Sequence, residues 1–446
     1  MTVRELGALL RKGEVSCLEL VDAAIARAKE RASLCAFITV TETQARTEAS
    51  ERDRELKDGF DRGPLHGIPI ALKDLFYTRG VKTTAGSRLY EHFIPDFDGT
   101  VVERMRAAGA VSIGKTNLHE LAFGITSLNP YYGFVRNPRN EAHLAGGSSG
   151  GSAAAIAAGI APVALGTDTG GSIRIPAAFC GIVGLKPTYG AVSRRGVLPL
   201  AFSLDHMGPL GSCVEDCAFA FAAMTERVGN FDLSVRPDLK GLRVGVPRHF
   251  FFEKLDEEVA AAVKRSISSM EADGAHVIEV DTPDMNQVNL ASRVVQLAEF
   301  AALHVERHNP AMFGADVWSF VEQGRMIAGH EYVNAQRIRT VFRAQMDTLW
   351  ENVNILAVPT TAVAAPPTAA ETVSIKGTEE TVRIAATRLV RGINYLGEPA
   401  LSMPCGQTAA GLPIGLQLIS APHTEARLLQ IAGTLERILG RFPFQR

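Results

Sequence analysis

Two glycine clusters studded with hydroxyls are the segments of this chain best suited to chemistry. The first reads Gly146-Gly147-Ser148-Ser149-Gly150-Gly151-Ser152 and the second Thr167-Asp168-Thr169-Gly170-Gly171-Ser172. Gly/Ser runs are most often flexible linkers, but an Ala-rich helical run separates these two, and linkers seldom sit between well-patterned core elements. A phosphate-binding loop would end in a Lys-Ser/Thr pair. No such pair ends this loop, and Gly114-Lys115-Thr116 lacks the upstream glycine. Nucleophilic catalysis is the third reading. A serine hydroxyl attacks a carbonyl once a base takes its proton, and adjoining glycines let backbone N–H groups converge on the developing oxyanion. Thr169, Gly170, Gly171 and Ser172 would then supply both nucleophile and oxyanion hole. His143 and His206 are the histidines near these clusters, and a lone histidine is more often structural. Lys73 follows the apolar run Ile68 to Leu72, so it stands at a strand end, where burial would lower its pKa enough to make it a base. Local context alone leaves it open between that role and a solvated charge.

The elements that must position these groups alternate. Helical spacing after Ser16, a strand at Ala36–Val40 and a charged helix from Glu42 to Lys57 come first. Ile68–Leu72 reads as a buried strand, Thr100–Ala108 as a helix and Ala110–Ile113 as a strand. Leu242–Val246, a helix from Glu258 to Ala272 and Val277–Val280 repeat the rhythm. Residues from about 284 to 350 are mostly helical in pattern and read as a cap. Ile355–Val358 is a further strand, Leu401–Met403 and Gly415–Ile419 a strand pair, and Thr424–Leu439 a closing amphipathic helix. This β-α-β rhythm favours an α/β fold with a sheet covered by helices. The 446 residues would admit about three domains, yet no composition break divides them. The expectation is one large domain over 1–446, with an N-terminal helical segment at 1–60.

With 46% apolar residues the chain can bury a large core, and its net charge of −2 gives no strong field of either sign. A nucleic-acid binder would show a basic stripe, and only scattered pairs such as Arg194-Arg195 occur. The six cysteines Cys17, Cys35, Cys180, Cys213, Cys217 and Cys405 form no CxxC pair and no zinc spacing, as expected for a reduced, cytoplasmic chain without metal or cofactor. Ala153–Leu165 is the nearest approach to a membrane span, but it is short and broken by Pro162.

The segment from Gly146 to Gly190, GGSSGGSAAAIAAGIAPVALGTDTGGSIRIPAAFCGIVGLKPTYG, resembles the amidase signature family. HGIPIALKD at 66–74, GKTNLHELAFG at 114–124, SLDHMGPL at 203–210 and GLPIGLQLIS at 411–420 extend the resemblance over nearly the whole chain. It implies a Lys–Ser–Ser catalytic set of Lys73, Ser148 and Ser172, with an oxyanion hole from the backbone of residues 169–172. It also implies a mixed sheet wrapped by helices and a cis peptide bond between Gly147 and Ser148. Ser149, Asp168 and Arg174 match supporting positions, read here as structural. Ala145 departs from the proline common before GGSSGG, which leaves the catalytic positions untouched.

The resemblance implies a hydrolase of amide, carbamate or urea-type C–N bonds acting through an acyl-enzyme on a small-molecule substrate. Neither nucleic acid nor membrane is an expected partner, and a homodimer is admitted. Tyr131, Tyr132, Trp318 and Phe320 are candidates to line the substrate pocket. One alternative is the glutaminase component of a glutamyl-tRNA amidotransferase complex, whose glutamine site uses an arginine and an aspartate. Ungapped placement puts Phe320 and Thr387 at those positions, with Arg325 or Arg388 able to compensate. This favours a stand-alone hydrolase. A second alternative, an inactive binding protein of the same fold, sits poorly with the intact Lys73, Ser148 and Ser172.

Overall fold

The computed structural model describes residues 1–225, 238–306 and 309–442. Eleven strands form one mixed sheet: β1 (Phe37–Val40), β2 (Pro69–Lys73), β3 (Val111–Thr116), β4 (Val163–Asp168), β5 (Val183–Lys186), β6 (His206–Gly211), β7 (Arg243–Pro247), β8 (His276–Val280), β9 (Ile355–Pro359), β10 (Ala400–Gln407) and β11 (Pro413–Ser420). Their order across the sheet is β1-β3-β2-β4-β6-β5-β10-β11-β9-β7-β8. β2 runs parallel to both β3 and β4, whereas β6 lies antiparallel to β4 and β5. Helices cover this sheet, as the alternation of patterns implied.

The central strands β4, β5 and β6 are buried at every position. Burial on both faces erases the polar–apolar alternation that marks a strand in sequence. The uncharged run Ala153–Leu165 accordingly divides into the end of the helix Gly150–Ala157, a turn and the start of β4. The helix Gly150–Ala157 is small-residued and wholly buried. A Cβ on Gly151 would stand 2.4 Å from the Asn117 carbonyl oxygen and 2.5 Å from that of Ala36, so only glycine lets this helix lie so close to its neighbours.

The region read as a cap consists of the helices Met285–His304, Ala315–Arg325 and Gly329–Asn352 with a short 3₁₀ turn at Pro310–Met312. These helices share one hydrophobic cluster with the short helices Val382–Thr387 and Arg391–Leu396. The alanine-rich helix Gly150–Ala157 and strands β2, β4 and β6 contribute to another. The cleft beside Ser172 is bordered by Gly170 and Ser172 on one side and Gln296, Arg383, Thr387 and Arg391 on the other, and a further cluster joins Ile175 and Phe179 to Val382, Ala386 and Val390.

Candidate active site

Lys73 ends β2 with no exposed surface. The parallel pairing of β2 with β4 brings its ammonium to the carboxyl end of β4 and onto three hydroxyls. It donates to Ser148 Oγ at 2.8 Å, Ser149 Oγ at 2.9 Å and Thr167 Oγ1 at 2.8 Å. Burial lowers its pKa from the ordinary 10.5 to about 7, against the opposing pull of Asp168 and Asp205. A lysine so placed exchanges a proton near neutrality.

The Gly147–Ser148 peptide bond is cis, the geometry that the family resemblance implied. Ser149 is tied more closely to Lys73 than a merely structural reading allowed. Besides accepting from Lys73, its hydroxyl donates to the Thr167 carbonyl at 3.1 Å, and its N–H donates to the Ser172 carbonyl at 3.2 Å. The two glycine clusters are thereby sewn together directly.

The loop carrying Ser172 is organised by Asp168. Its carboxylate accepts from the N–H groups of Gly171 (2.7 Å) and Ile173 (3.1 Å) and pairs with Arg174 at 3.0 Å. Burial alone would raise this carboxyl's pKa, but the charge and hydrogen bonds of Arg174, with Lys186 and Asn394, hold it well below the carboxylate range. Arg174 reaches on to Gln417 in β11 and to Asn394. Thr169 is fixed through its hydroxyl, which donates to Asp205 at 2.6 Å. The expectation of four oxyanion donors therefore needs correction at Gly171. Its N–H is already spent on Asp168, which leaves the N–H groups of Thr169, Gly170 and Ser172 as the candidates.

The expected aromatic pocket is also corrected. Ala122, Phe123, Gly124, Ile125, Thr387 and Arg391 are among the residues that line the cleft with Ser172. Phe320 is buried one layer behind, its ring centroid 4.3 Å from that of Phe123. Trp318 packs on Phe313 within the helical cluster. Tyr131 lies under Arg88, and Asn129 accepts from the N–H groups of both Tyr131 and Tyr132 in a tight turn. Phe320 and Trp318 thus join the helical cluster, while Tyr131 and Tyr132 stay partly exposed.

Neither proposed compensating arginine reaches the cleft. Arg388 pairs with Glu380 at 3.2 Å, and Arg325 is exposed. Arg383 and Arg391, which the sequence reading passed over, line it instead. Arg383 stands on the helix Val382–Thr387 and Arg391 opens the next one, Arg391–Leu396, so no single helical face joined them in the sequence.

A Lys73–hydroxyl cluster beside a glycine-bordered serine, on a mixed sheet, is the arrangement that family comparison resolves. The amidase family model matches residues 19–429, and the chain belongs to that family. Among curated relatives, the A subunit of glutamyl-tRNA(Gln) amidotransferase from Synechococcus sp. (strain CC9605) is 40% identical over 98% of this chain and 96% of its own length. Its counterpart from Roseiflexus sp. (strain RS-1) is 38% identical over equal shares. Among solved structures, an amidase superposes with a TM-score of 0.93 at 37% identity, covering 99% of this chain and all of its own. A protein from a vestigial complex bearing on the origins of an s-triazine catabolic enzyme gives 0.94 at 35%, with full coverage of both chains. Peptide amidase from Stenotrophomonas maltophilia gives 0.86 at 30%, covering 100% of this chain and 98% of its own.

Proposed function

We propose that this chain hydrolyses carboxylic amides, or related carbamate and urea-type C–N bonds, through an acyl-enzyme on Ser172. Ser172 Oγ attacks the carbonyl carbon while its proton passes through Ser148 Oγ to neutral Lys73. The N–H groups of Thr169, Gly170 and Ser172 receive the negative charge that develops on the carbonyl oxygen. Collapse of the tetrahedral intermediate breaks the C–N bond, and the proton returns from Lys73 through Ser148 to the departing amine. Water, deprotonated by the same route, then releases the acid and restores Ser172. The observation that carries this reading is the buried Lys73, poised near neutrality with its ammonium on the Ser148 hydroxyl. The test is labelling by a fluorophosphonate together with hydrolysis of an amide panel. Ser172→Ala should abolish both, and Ser148→Ala should lower turnover by several powers of ten. Undiminished hydrolysis by Ser172→Ala refutes the assignment, and absence of labelling and turnover in the native chain favours an inactive binding protein.

A second reading, the glutaminase component of an amidotransferase complex, gains weight from the curated relatives, which favour it over a lone hydrolase on similarity. One ground for setting it aside falls, since Arg383 and Arg391 offer positive charge beside Ser172. What opposes it is the cleft lining, which among the described residues includes no carboxylate to receive the α-ammonium of glutamine. The chemistry at Ser172 is common to both readings. Glutamine hydrolysis that rises steeply on adding a small partner protein selects the second; efficient turnover of other amides by the isolated chain selects the first. No helix among the described residues is long and apolar enough to cross a membrane.

A further inference from the structure

Three arginines converge on the cleft that holds Ser172. Arg383 and Arg391 line it directly, and a Cβ on Gly170, two residues before Ser172, would stand 3.9 Å from Arg391 Nε. Arg293, from the helix Met285–His304, stacks with Arg383 on the same aromatic pair. Their guanidinium carbons lie 5.0 and 4.1 Å from the Phe320 centroid, and 5.5 and 5.6 Å from that of Phe123. Among the described residues, none of the three forms an ion pair. Asp316, the acid whose charge Arg383 feels, accepts from His119 at 3.0 Å. Arg391 Nη2 donates to Thr387 Oγ1 and Arg293 Nη2 to Gln323, while Arg391 Nε and Arg293 Nη1 are buried with no hydrogen-bond partner. Arg174 and Arg388 are neutralised by Asp168 and Glu380, whereas buried Arg339, away from the cleft, also lacks an ion pair among the described residues and donates to the Tyr395 carbonyl. A guanidinium keeps its proton in proteins. Partial burial with like charge nearby therefore leaves this cluster short of an anion, and its directional donors suit one.

We propose that the cleft selects a compact amide bearing a carboxylate, held by Arg391 and Arg383 with Arg293 adding charge behind them. It discriminates against a substrate whose carboxylate carries a neighbouring ammonium, since the lining offers that ammonium only like charge. The free space in the cleft is small, about 20 Å³, which favours a compact skeleton. This rests on the hydrolase reading only in taking Ser172 as the point of attack.

The test is calorimetric binding to the full-length Ser172→Ala protein, which separates recognition from turnover. The ligands are malonamate, succinamate and glutaramate, each against its neutral diamide, with glutamine as glutaramate plus one α-ammonium. At least one monoamide acid should bind tenfold or more tighter than its diamide, and glutaramate should bind tighter than glutamine. Arg391→Gln and Arg383→Gln should each remove most of that preference, read as the ratio of monoamide-acid to diamide affinity, and Arg391→Lys should restore part of it. Equal or tighter binding of the diamides, tighter binding of glutamine, no binding by any monoamide acid, or a preference that survives Arg383→Gln/Arg391→Gln overturns the proposal. Selectivity in the Ser172→Ala protein decides the matter even if the arginine variants fold poorly. Should that selectivity appear while the native chain neither hydrolyses these acids nor takes up fluorophosphonate, the anion site stands and the hydrolase reading fails.

Discussion

Replacing Lys73 with methionine should make this protein more stable at neutral pH while destroying its activity. The ammonium has an ordinary pKa of 10.5 and is held at about 7 in the fold. At 1.36 kcal/mol per tenfold change, that is on the order of 5 kcal/mol of unfavourable burial for the charged form. The unfolded chain keeps this proton up to about pH 10.5, whereas the folded chain releases it near 7. Between those values unfolding takes up a proton, so native stability rises with pH. Methionine fills a similar volume without a charge, but it deprives Ser148, Ser149 and Thr167 of a shared donor. At roughly 1 kcal/mol per hydrogen bond, those losses offset much of the gain and leave a net stabilisation of about 1–2 kcal/mol at pH 7. The pH dependence is the sharper signature. Every other titrating group is common to both proteins, so the advantage of Lys73→Met should shrink by about 3 kcal/mol from pH 7 to 9.5 as the native lysine ceases to be penalised. Urea titrations of both proteins at the two pH values measure this, alongside amide hydrolysis. A variant that is less stable by the same amount at both pH values would refute a lysine that is largely neutral in the fold.

Three further outcomes follow from the geometry. The kcat/KM of amide hydrolysis should rise through a half-point near pH 7 on its acidic limb, because Lys73 must be neutral to accept a proton; a half-point near 10 in a pH–rate profile would contradict it. Arg174→Met should destabilise the protein by about 3–5 kcal/mol in denaturant melts, since it strands the buried Asp168 carboxylate, and an unchanged midpoint would show that carboxylate to be adequately held by backbone N–H groups and Asn394. Gly171→Ala should lower turnover by about 10²-fold, because Gly171 has φ +114° and a Cβ there would stand 2.4 Å from Val390 Cγ2; near-native kinetics would show the Ser172 loop to be more yielding than its packing indicates.

What was legible in the sequence was whatever local pattern dictates. The strand end at Lys73 was readable because an uninterrupted apolar run fixes a strand and the lysine terminates it, while its role as a base was left open by local context. The outer strands β1, β7 and β8 and the strand pair β10–β11 were readable for the same reason. The central strands Val163–Asp168, Val183–Lys186 and His206–Gly211 were not, because strands buried on both faces and rich in glycine, alanine or proline show no alternation. The arginines at 383 and 391 were hidden differently. Isolated charges usually mark a solvated surface, and only the packing of their two short helices beside the serine loop brings both to the cleft. Phe320 and Trp318 could be read either way because size and apolarity fit core and cleft equally well. Ring contacts between Phe123 and Phe320, and between Phe313 and Trp318, decided for the core.

The two walls of the cleft are built from separate stretches of chain. Ser172, Ser148 and Lys73 sit on strands and loops between residues 69 and 187, while Gln296, Arg383, Thr387 and Arg391 stand on helices between 285 and 396. Asn394 ties those helices to the serine loop by donating to Asp168 at 2.8 Å, so cleft-facing substitutions that spare it can change recognition while leaving that loop in place. A lineage built this way can drift between substrates through viable intermediates, since a change in what is recognised leaves the bond-breaking apparatus intact. Under the proposed mechanism the reverse path is closed: the hydroxyls around Lys73 share one donor, and an isolated change there would remove the function before a new one can be selected.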